Sequence, residues 1–133
     1  MRETASFRAD PAALRQIRQF VRERASRTSW PSRGVDELVQ AVSEACANSM
    51  LHSQSNEVRI TWKRRPNAVE VRVTDEGVFR REPELSTGHL GGHGISIMRA
   101  LVDEVDIHEG TAEEPGTVVR LVKKEPTKVD AGQ

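Results

Sequence analysis

Three polar side chains recur at four-residue intervals along one predicted helix. Glu44, Asn48 and His52 lie within "EACANSMLH" (44–52), and residues four apart in an α-helix share one face. They lie almost opposite the apolar stripe of the same helix, which is typical of a solvated face. A carboxylate and an amide one turn apart could instead present oxygen atoms to a hard cation such as Mg²⁺. The spacing leaves both interpretations open.

One carboxylate lies where a strand pattern predicts an apolar side chain. Valine alternates with polar residues between positions 69 and 74, and Asp75 shares the parity of the valines, so the strand points it toward the buried face. Burying a carboxylate without a partner is costly. Either the strand ends at Thr74 and Asp75 opens a turn before Gly77, or Asp75 lies at the floor of a pocket and accepts a hydrogen bond from a ligand.

A glycine-rich segment over residues 76–94 has no apolar periodicity. We predict that it is a loop and that a third helix begins near Gly94, where free N–H groups and the helix dipole favour an anion. The segment is not a Walker A loop, because no Gly-Lys-Ser/Thr follows, and it is not a Rossmann fingerprint, because no βαβ unit surrounds it. A flexible hairpin is the alternative interpretation.

Four other side chains have simpler interpretations. Thr117 shares the parity of the apolar positions that follow it, so its hydroxyl is predicted to point inward, as threonines in buried strands often do. His89 and His93 are four residues apart, but they lie in the glycine-rich loop without a third ligand, so a zinc site is not expected. Cys46 lies on the apolar stripe and is predicted to pack in the core.

The elements that must position these residues follow from the periodicity. The chain predicts, in order, a strand near 4–8, helices over about 11–26 and 35–52, strands over 56–63 and 69–74, a helix over about 94–102, and strands over 105–108 and 117–122. This order predicts an α/β two-layer sandwich, in which a mostly antiparallel sheet carries helices on one face. We expect one domain over residues 1–124 and a flexible tail over 125–133. The Arg64-Arg65 and Lys123-Lys124 pairs are interpreted as solvated charge.

The composition narrows the class of protein. Twenty basic residues balance twenty acidic ones in 133 residues, so direct nucleic-acid binding is not expected. A single cysteine excludes an internal disulfide framework and is typical of a reducing compartment. The N-terminus has no signal-peptide pattern, and no apolar run approaches the ~18 residues of a membrane span. We expect a cytoplasmic protein that does not bind membranes.

Four motifs together resemble the GHKL (Bergerat-fold) ATPase superfamily and, within it, the anti-sigma-factor serine kinases of the RsbW and SpoIIAB type. They follow in the family's order: "SEACANSMLH" (43–52) resembles the N box, "VTDEGVF" (73–79) the G1 box, "GGHGISIMRALVDEV" (91–105) the G2 box, and "GTVVRLVK" (116–123) the closing strand. The resemblance extends from about Ala5 to Lys123. It implies a Bergerat-type ATP-binding fold.

The resemblance also implies roles for residues on the phosphate side of such a site. Glu44 would be the general base that takes the proton from a hydroxyl nucleophile, and Asn48 would bind the Mg²⁺ that bridges the ATP phosphates. Gly92 and Gly94 would offer backbone N–H groups to the phosphates. His93, between them, stands where the family usually has an arginine.

On the adenine side, the resemblance implies that Asp75 accepts a hydrogen bond from the amino group of the base. Gly77 would allow the backbone to approach the base, and Thr117 would lie near the adenine end of the pocket. Residues 79–91 would form the nucleotide lid. The implied activity is ATP-dependent phosphorylation of a serine on a STAS-domain anti-anti-sigma factor. The implied partners also include a sigma factor, which is held inactive, and a second copy of the chain in a homodimer.

Two alternatives stay open. Phe79 replaces the last glycine of the G1 pattern, and together with His93 this favours a binding module that keeps the fold, has weak or no catalysis, and regulates by protein–protein contact alone. The Glu44 and Asn48 pair favours the kinase. The catalytic domain of a sensor histidine kinase is a third, less favoured interpretation, because we see no dimerisation helix with a phosphoacceptor histidine ahead of the first strand.

Overall fold

The computed structural model describes residues 2–52, 56–75, 89–108 and 116–125. The elements, in chain order, are β1 (Arg2–Arg8), a 3₁₀ turn (Pro11–Ala13), α1 (Leu14–Ala25), α2 (Ser32–His52), β2 (Glu57–Arg65), β3 (Ala68–Asp75), α3 (His89–Leu101), β4 (Glu104–His108) and β5 (Thr117–Lys124). The predicted order of strands and helices is confirmed. None of these helices is long and apolar enough to cross a membrane.

The five strands form one sheet in the order β1-β2-β3-β5-β4. All four pairings between described neighbours are antiparallel, and the turn Pro66-Asn67 joins β2 to β3. Alternation of apolar and polar side chains sets the register, because a slip of one residue would turn every buried side chain to the other face. The predicted fold class, a sandwich of a helix layer on an antiparallel sheet, is confirmed.

Helix α2 is the centre of the helix layer. It packs on β3 and β5, while α1 and α3 lie on either side of it. Its predicted apolar stripe is buried up to Cys46, and Met50 is partly buried. Ala41 and Ala45 of the same helix are fully buried. Because helices flank α2 on both sides, its small residues are used in packing.

Helix α3 begins earlier than the sequence indicates. We predicted a start near Gly94, but the helical backbone begins at His89. Glycine lowers helix propensity by about 1 kcal/mol without blocking helical dihedral angles, and no proline interrupts residues 89–101. Free N–H groups belong to the first turn of a helix. Gly94 is the sixth residue of α3. Our prediction that the helix begins near Gly94 is therefore wrong, and its amide does not belong to the first turn.

A buried glutamate on the open face of the sheet was not predicted. The side chain of Glu70 is 1% exposed because three guanidinium groups cover it. Arg65 forms an ion pair with it, Arg72 Nε donates to Oε2 at 2.6 Å, and Arg120 Nε lies 3.2 Å from Oε1. Burial alone would raise the pKa of Glu70. The hydrogen bond and charge of Arg72, with the charges of Arg120 and Arg65, outweigh it and hold the pKa below its ordinary value.

In the basic pairs that we interpreted as solvated charge, three side chains make ion pairs: Arg64, Arg65 and Lys123. Lys124 is exposed, as we predicted. Arg65 pairs with Glu70, Arg64 Nη2 donates to Glu125 Oε1 at 3.1 Å, and Lys123 Nζ makes two hydrogen bonds. Glu125, which we placed at the start of the flexible tail, is buried and also accepts a hydrogen bond from the backbone N–H of Ser29 at 3.3 Å. Residue 125 is therefore part of the folded domain. The rest of the predicted tail, 126–133, lies beyond the part that the structure describes.

The contacts of Lys123 fix the relative direction of α2 and α3. Its Nζ donates to Glu37 Oε1 at 3.1 Å and to the carbonyl of Leu101, the last residue of α3, at 2.8 Å. The end of α3 therefore lies near the start of α2. Since the two helices pack along each other, they run antiparallel, and the start of α3 lies beside the later half of α2, which contains Asn48.

Candidate functional site

The polar residues singled out from the sequence gather at one end of the domain. Strand β3 ends at Asp75, and Thr117, the first residue of β5, is its direct partner in the sheet. Helix α2 also reaches this end, because Ser49 contacts Asp75. The antiparallel packing brings the start of α3 to the same side. We call this region, defined by Ser49, Asp75 and Thr117, the Asp75 end.

Asp75 points into the domain, as the parity of the strand predicted. It is 3% exposed, and Ser49 Oγ donates a hydrogen bond to its Oδ2 at 2.6 Å. Of the two interpretations that we left open, a turn at the surface is therefore wrong, since β3 includes Asp75 and buries it. The two oxygens of a carboxylate offer about four lone-pair sites, so a carboxylate can accept hydrogen bonds from more than one donor.

Our interpretation of the sequence missed Ser49. Its position carried a signal: it lies three residues after Cys46 and seven after Val42, so it falls on the apolar stripe of α2. A hydroxyl on a core-facing stripe requires a hydrogen-bond partner. The identity of that partner depends on how α2 lies on β3, which periodicity does not define.

Thr117 is buried opposite Asp75, as predicted. The residue before it, Gly116, has a φ of 123°, a backbone conformation that residues with a Cβ rarely adopt. A Cβ at this position would lie 3.5 Å from the carbonyl oxygen of Asp75, which is ordinary contact. The strain of a substitution there would come from the backbone angle rather than from a clash.

Replacing Gly116 by alanine is therefore expected to destabilise the protein by about 1–2 kcal/mol, the usual range for a forced unfavourable φ. Urea unfolding followed by circular dichroism would measure this change. Gly116 directly precedes Thr117, the partner of Asp75 in the sheet. We therefore also expect amide hydrogen exchange to speed up most in the β3–β5 pairing near Asp75. A variant as stable as the wild type would contradict the positive φ.

Glu44 and Asn48 occupy consecutive turns of α2, and both are partly buried. Gln40 Nε2 donates to Glu44 Oε2 at 3.4 Å, which orients the carboxylate along the helix. Asn48 directly precedes Ser49, so its side chain leaves the helix about 100° around the axis from the one that contacts Asp75. Partial burial is compatible with both interpretations of their spacing, a site wall and a solvated face.

Several predicted site residues cannot be placed in this geometry. Gly77 and most of the predicted lid, 79–88, lie in the undescribed segment 76–88. For Gly92, His93 and Gly94 the structure describes the backbone only, as part of α3. The side chain of His52, the third member of the four-residue spacing, is likewise not described. Cys46 is buried in the core as predicted, and burial raises the pKa of its thiol to about 12.

The donor set near the Asp75 end suits a magnesium ion. Mg²⁺ prefers oxygen ligands, keeps several waters and takes only one or two protein groups in addition to phosphates. The carboxamide oxygen of Asn48, with the carboxylate of Glu44 one turn away, matches that requirement. These residues therefore fit the ion that the family resemblance implies.

The comparison with protein families decides the identity of this fold. The profile of the family described as "Histidine kinase-like ATPase domain" matches residues 7–123. The chain belongs to this family. The match includes every described element except the start of β1 and the last residue of β5.

Two relatives of this histidine kinase-like ATPase domain have functional names: one is named as a serine-protein kinase and the other as an anti-sigma factor. The chain is 28% identical over 134 residues to "Serine-protein kinase RsbW" of Bacillus pumilus. This alignment covers 86% of the chain and 80% of the relative. The chain is 29% identical over 101 residues to "Anti-sigma F factor" of Caldanaerobacter subterraneus subsp. tengcongensis. This alignment covers 67% of the chain and 69% of the relative. Within the family, the chain is therefore RsbW-like.

Solved structures agree on the fold of this ATPase domain. The RsbU and RsbW domains of Rv1364c from Mycobacterium tuberculosis superimpose with a TM-score of 0.73 at 19% identity, over 96% of this chain and 34% of that longer chain. The histidine kinase AdeS of Acinetobacter baumannii superimposes with a TM-score of 0.55 at 11% identity, over 94% of this chain and 68% of the other. The predicted Bergerat-type fold is confirmed.

Proposed function

We propose that this protein is an ATP-dependent serine-protein kinase that also acts as an anti-sigma factor. It would bind Mg-ATP at the Asp75 end, phosphorylate a serine of a STAS-domain anti-anti-sigma factor, and sequester a sigma factor. The observation that carries this proposal is the gathering of a buried Ser49–Asp75 pair, Thr117 and the Glu44 and Asn48 face of α2 at one end of an RsbW-like domain.

The adenine of ATP would lie against Asp75. Its exocyclic amino group is a hydrogen-bond donor, and Asp75 is a buried acceptor already oriented by Ser49. Thr117, directly opposite in β5, would line the same part of the pocket. Gly77 would allow the backbone to approach the base.

Phosphoryl transfer would proceed by attack of a serine hydroxyl on the γ-phosphorus of ATP. Glu44 would take the proton from that hydroxyl, the new O–P bond would form on the serine, and ADP would leave with the electrons of the broken P–O bond. Such reactions depend mainly on positioning and charge stabilisation. Glu44 is partly buried on α2, and its carboxylate would face the acceptor hydroxyl from this helix.

Asn48 would hold the magnesium ion through its carboxamide oxygen, and the ion would supply charge stabilisation at the phosphates. The backbone N–H groups of Gly92 and its neighbours in the first turn of α3 would bind phosphate oxygens. His93 would add positive charge there only when protonated.

The relatives' names support the choice of partners. A serine acceptor follows from the similarity to a serine-protein kinase, and a sigma factor from the similarity to an anti-sigma F factor. The STAS-domain partner, a homodimeric state and a cytoplasmic location follow from the family resemblance. We propose no direct contact with nucleic acid.

Calorimetric titration with ATP and Mg²⁺ tests the nucleotide site. We expect wild-type binding, and we expect Asp75→Asn to weaken it about 10- to 100-fold, the effect of losing one charge-assisted hydrogen bond. Asparagine has the same shape and can still accept a hydrogen bond from Ser49, so the fold should persist. Asp106→Asn, on the exposed strand β4, is the matched control and should bind ATP normally.

The binding module is the second candidate function, and the Phe79 and His93 departures favour it. It predicts no wild-type ATP binding at millimolar concentration but tight binding to a protein partner. ATP binding without transfer of labelled phosphate to any STAS-domain protein would support the module as well. Labelled transfer to a serine would exclude it.

A further inference from the structure

We propose that Ser49 is a positioning residue that sets the base selectivity of the nucleotide site. By fixing the carboxylate of Asp75 as a hydrogen-bond acceptor, Ser49 would make the site prefer the amino group of adenine over the carbonyl group that hypoxanthine carries at the same ring position. This inference rests on the proposed binding of ATP at the Asp75 end and adds a residue that determines its specificity.

The geometry of the pair supports this role. Ser49 Oγ and Asp75 Oδ2 are 2.6 Å apart, within the short range of charge-assisted O–H···O⁻ bonds. Ser49 is 7% exposed and Asp75 3% exposed, so little water competes with the bond. The two residues come from different layers, α2 and β3, and packing between these elements holds the donor in place.

The direction of the hydrogen bond has a chemical consequence. An ionised carboxylate only accepts hydrogen bonds, whereas a protonated one can also donate. Because the hydroxyl of Ser49 is the donor of this pair, the carboxylate of Asp75 is its acceptor. Asp75 would therefore accept from the N6 amino group of adenine, whereas the O6 carbonyl of hypoxanthine would place one acceptor against another in a buried site.

Buried polar groups left unpaired give large discrimination between ligands of the same shape. ATP and ITP differ at C6, where an amino group is exchanged for a carbonyl, and in the protonation of N1. Without Ser49, no hydroxyl from α2 would hold the carboxylate of Asp75 in this orientation, so the site would discriminate less between the amino group and the carbonyl group. The quantity that reports this effect is the ratio of the two dissociation constants, Kd(ITP)/Kd(ATP).

The experiment is calorimetric titration of the full chain with ATP and with ITP, each with Mg²⁺. We expect a high ratio for the wild type and a ratio about tenfold lower for Ser49→Ala, the change that one charge-assisted hydrogen bond produces. Ser49→Thr keeps the hydroxyl and should keep the ratio. Cysteine is similar in size to serine but is a weaker hydrogen-bond donor, so Ser49→Cys should give an intermediate ratio. This variant replaces Ser49→Ala in the test if the alanine variant does not fold.

Ser43→Ala is the matched control. Ser43 lies in the same helix, is also buried, and its hydroxyl accepts a hydrogen bond from Arg18 Nε at 3.1 Å, so it is engaged with α1 rather than with Asp75. Its loss should change stability but not the ratio. A purely structural role of Ser49 would weaken ATP and ITP binding equally.

The outcomes separate this inference from the proposed function. An unchanged ratio in the Ser49 variants, or a wild type that binds both nucleotides equally, would overturn the inference while leaving the ATP site in place. A wild type that binds neither nucleotide would overturn both. A ratio that falls in the alanine and cysteine variants and is kept by threonine and by the Ser43 control would support it.

Discussion

Replacing Glu44 by glutamine is expected to lower the rate of phosphoryl transfer by about 10²- to 10⁴-fold, the usual contribution of a general base. Glutamine keeps the size of the side chain and can still accept a hydrogen bond from Gln40, but it cannot take a proton from serine. The dissociation constant for Mg-ATP should change by less than about threefold, because the base acts on the acceptor hydroxyl.

Transfer of labelled phosphate in single-turnover experiments, with ATP binding measured in parallel, would separate these effects. The acceptor would be a STAS-domain protein that the wild type phosphorylates. Asp36→Asn is the control: Asp36 lies on the exposed surface of α2, paired with Arg22 at 2.8 Å, and its loss should leave transfer unchanged. A Glu44→Gln protein with the normal rate would show that another group acts as base.

Replacing Glu70 by glutamine is expected to destabilise the protein by roughly 2–3 kcal/mol. Loss of one partner from a buried ion pair usually costs about 3–5 kcal/mol. The value should be smaller here because the side chains of Arg65, Arg72 and Arg120 are 41%, 47% and 25% exposed and water can solvate them. Urea unfolding at pH 7 would measure the change.

Glu104→Gln is the matched control for Glu70→Gln. Glu104 contacts the same Arg120 at 3.3 Å, but its side chain is 51% exposed. Exposed ion pairs contribute about 0–1 kcal/mol, so its loss should be small. Equal effects of the two substitutions would mean that burial adds nothing to the Glu70 network.

The contribution of Glu70 to the free energy of unfolding should decrease at acidic pH. Its pKa is lowered in the folded protein, so folding favours the ionised form. The stabilisation is complete above the unfolded-state pKa of about 4.3 and is lost as the pH falls through the folded-state pKa. The difference in unfolding free energy between the wild type and Glu70→Gln should therefore be constant near neutral pH and should shrink below about pH 4.

Local patterns in the sequence were sufficient for the secondary elements and for the direction of single side chains. The period-two alternation of β3 predicted that Asp75 points inward, and the 100° stripe predicted the buried face of α2. Such periodicities report which face of an element is buried, because burial of apolar side chains is the dominant favourable term in folding. The four ordered motifs were sufficient for the family.

The start of α3 shows where local patterns fail. Glycines favour a loop in isolation, but a helix packed along a neighbour gains from tertiary contacts what its sequence lacks in propensity. Helix α3 lies against α2 and is held at its end by Lys123. The predicted loop therefore continues into helix at His89, and Gly94 lies inside it.

The sequence by itself determined the order of elements, the family and the inward direction of Asp75, since these depend on residues close in the chain or on motifs. The tertiary structure alone decided which groups meet. Ser49 reaches Asp75 across 26 residues, and the arginines that cover Glu70 come from three different strands. These contacts depend on how α2 lies on the sheet and how the strands pair, and neither arrangement is encoded in the periodicity of any one element.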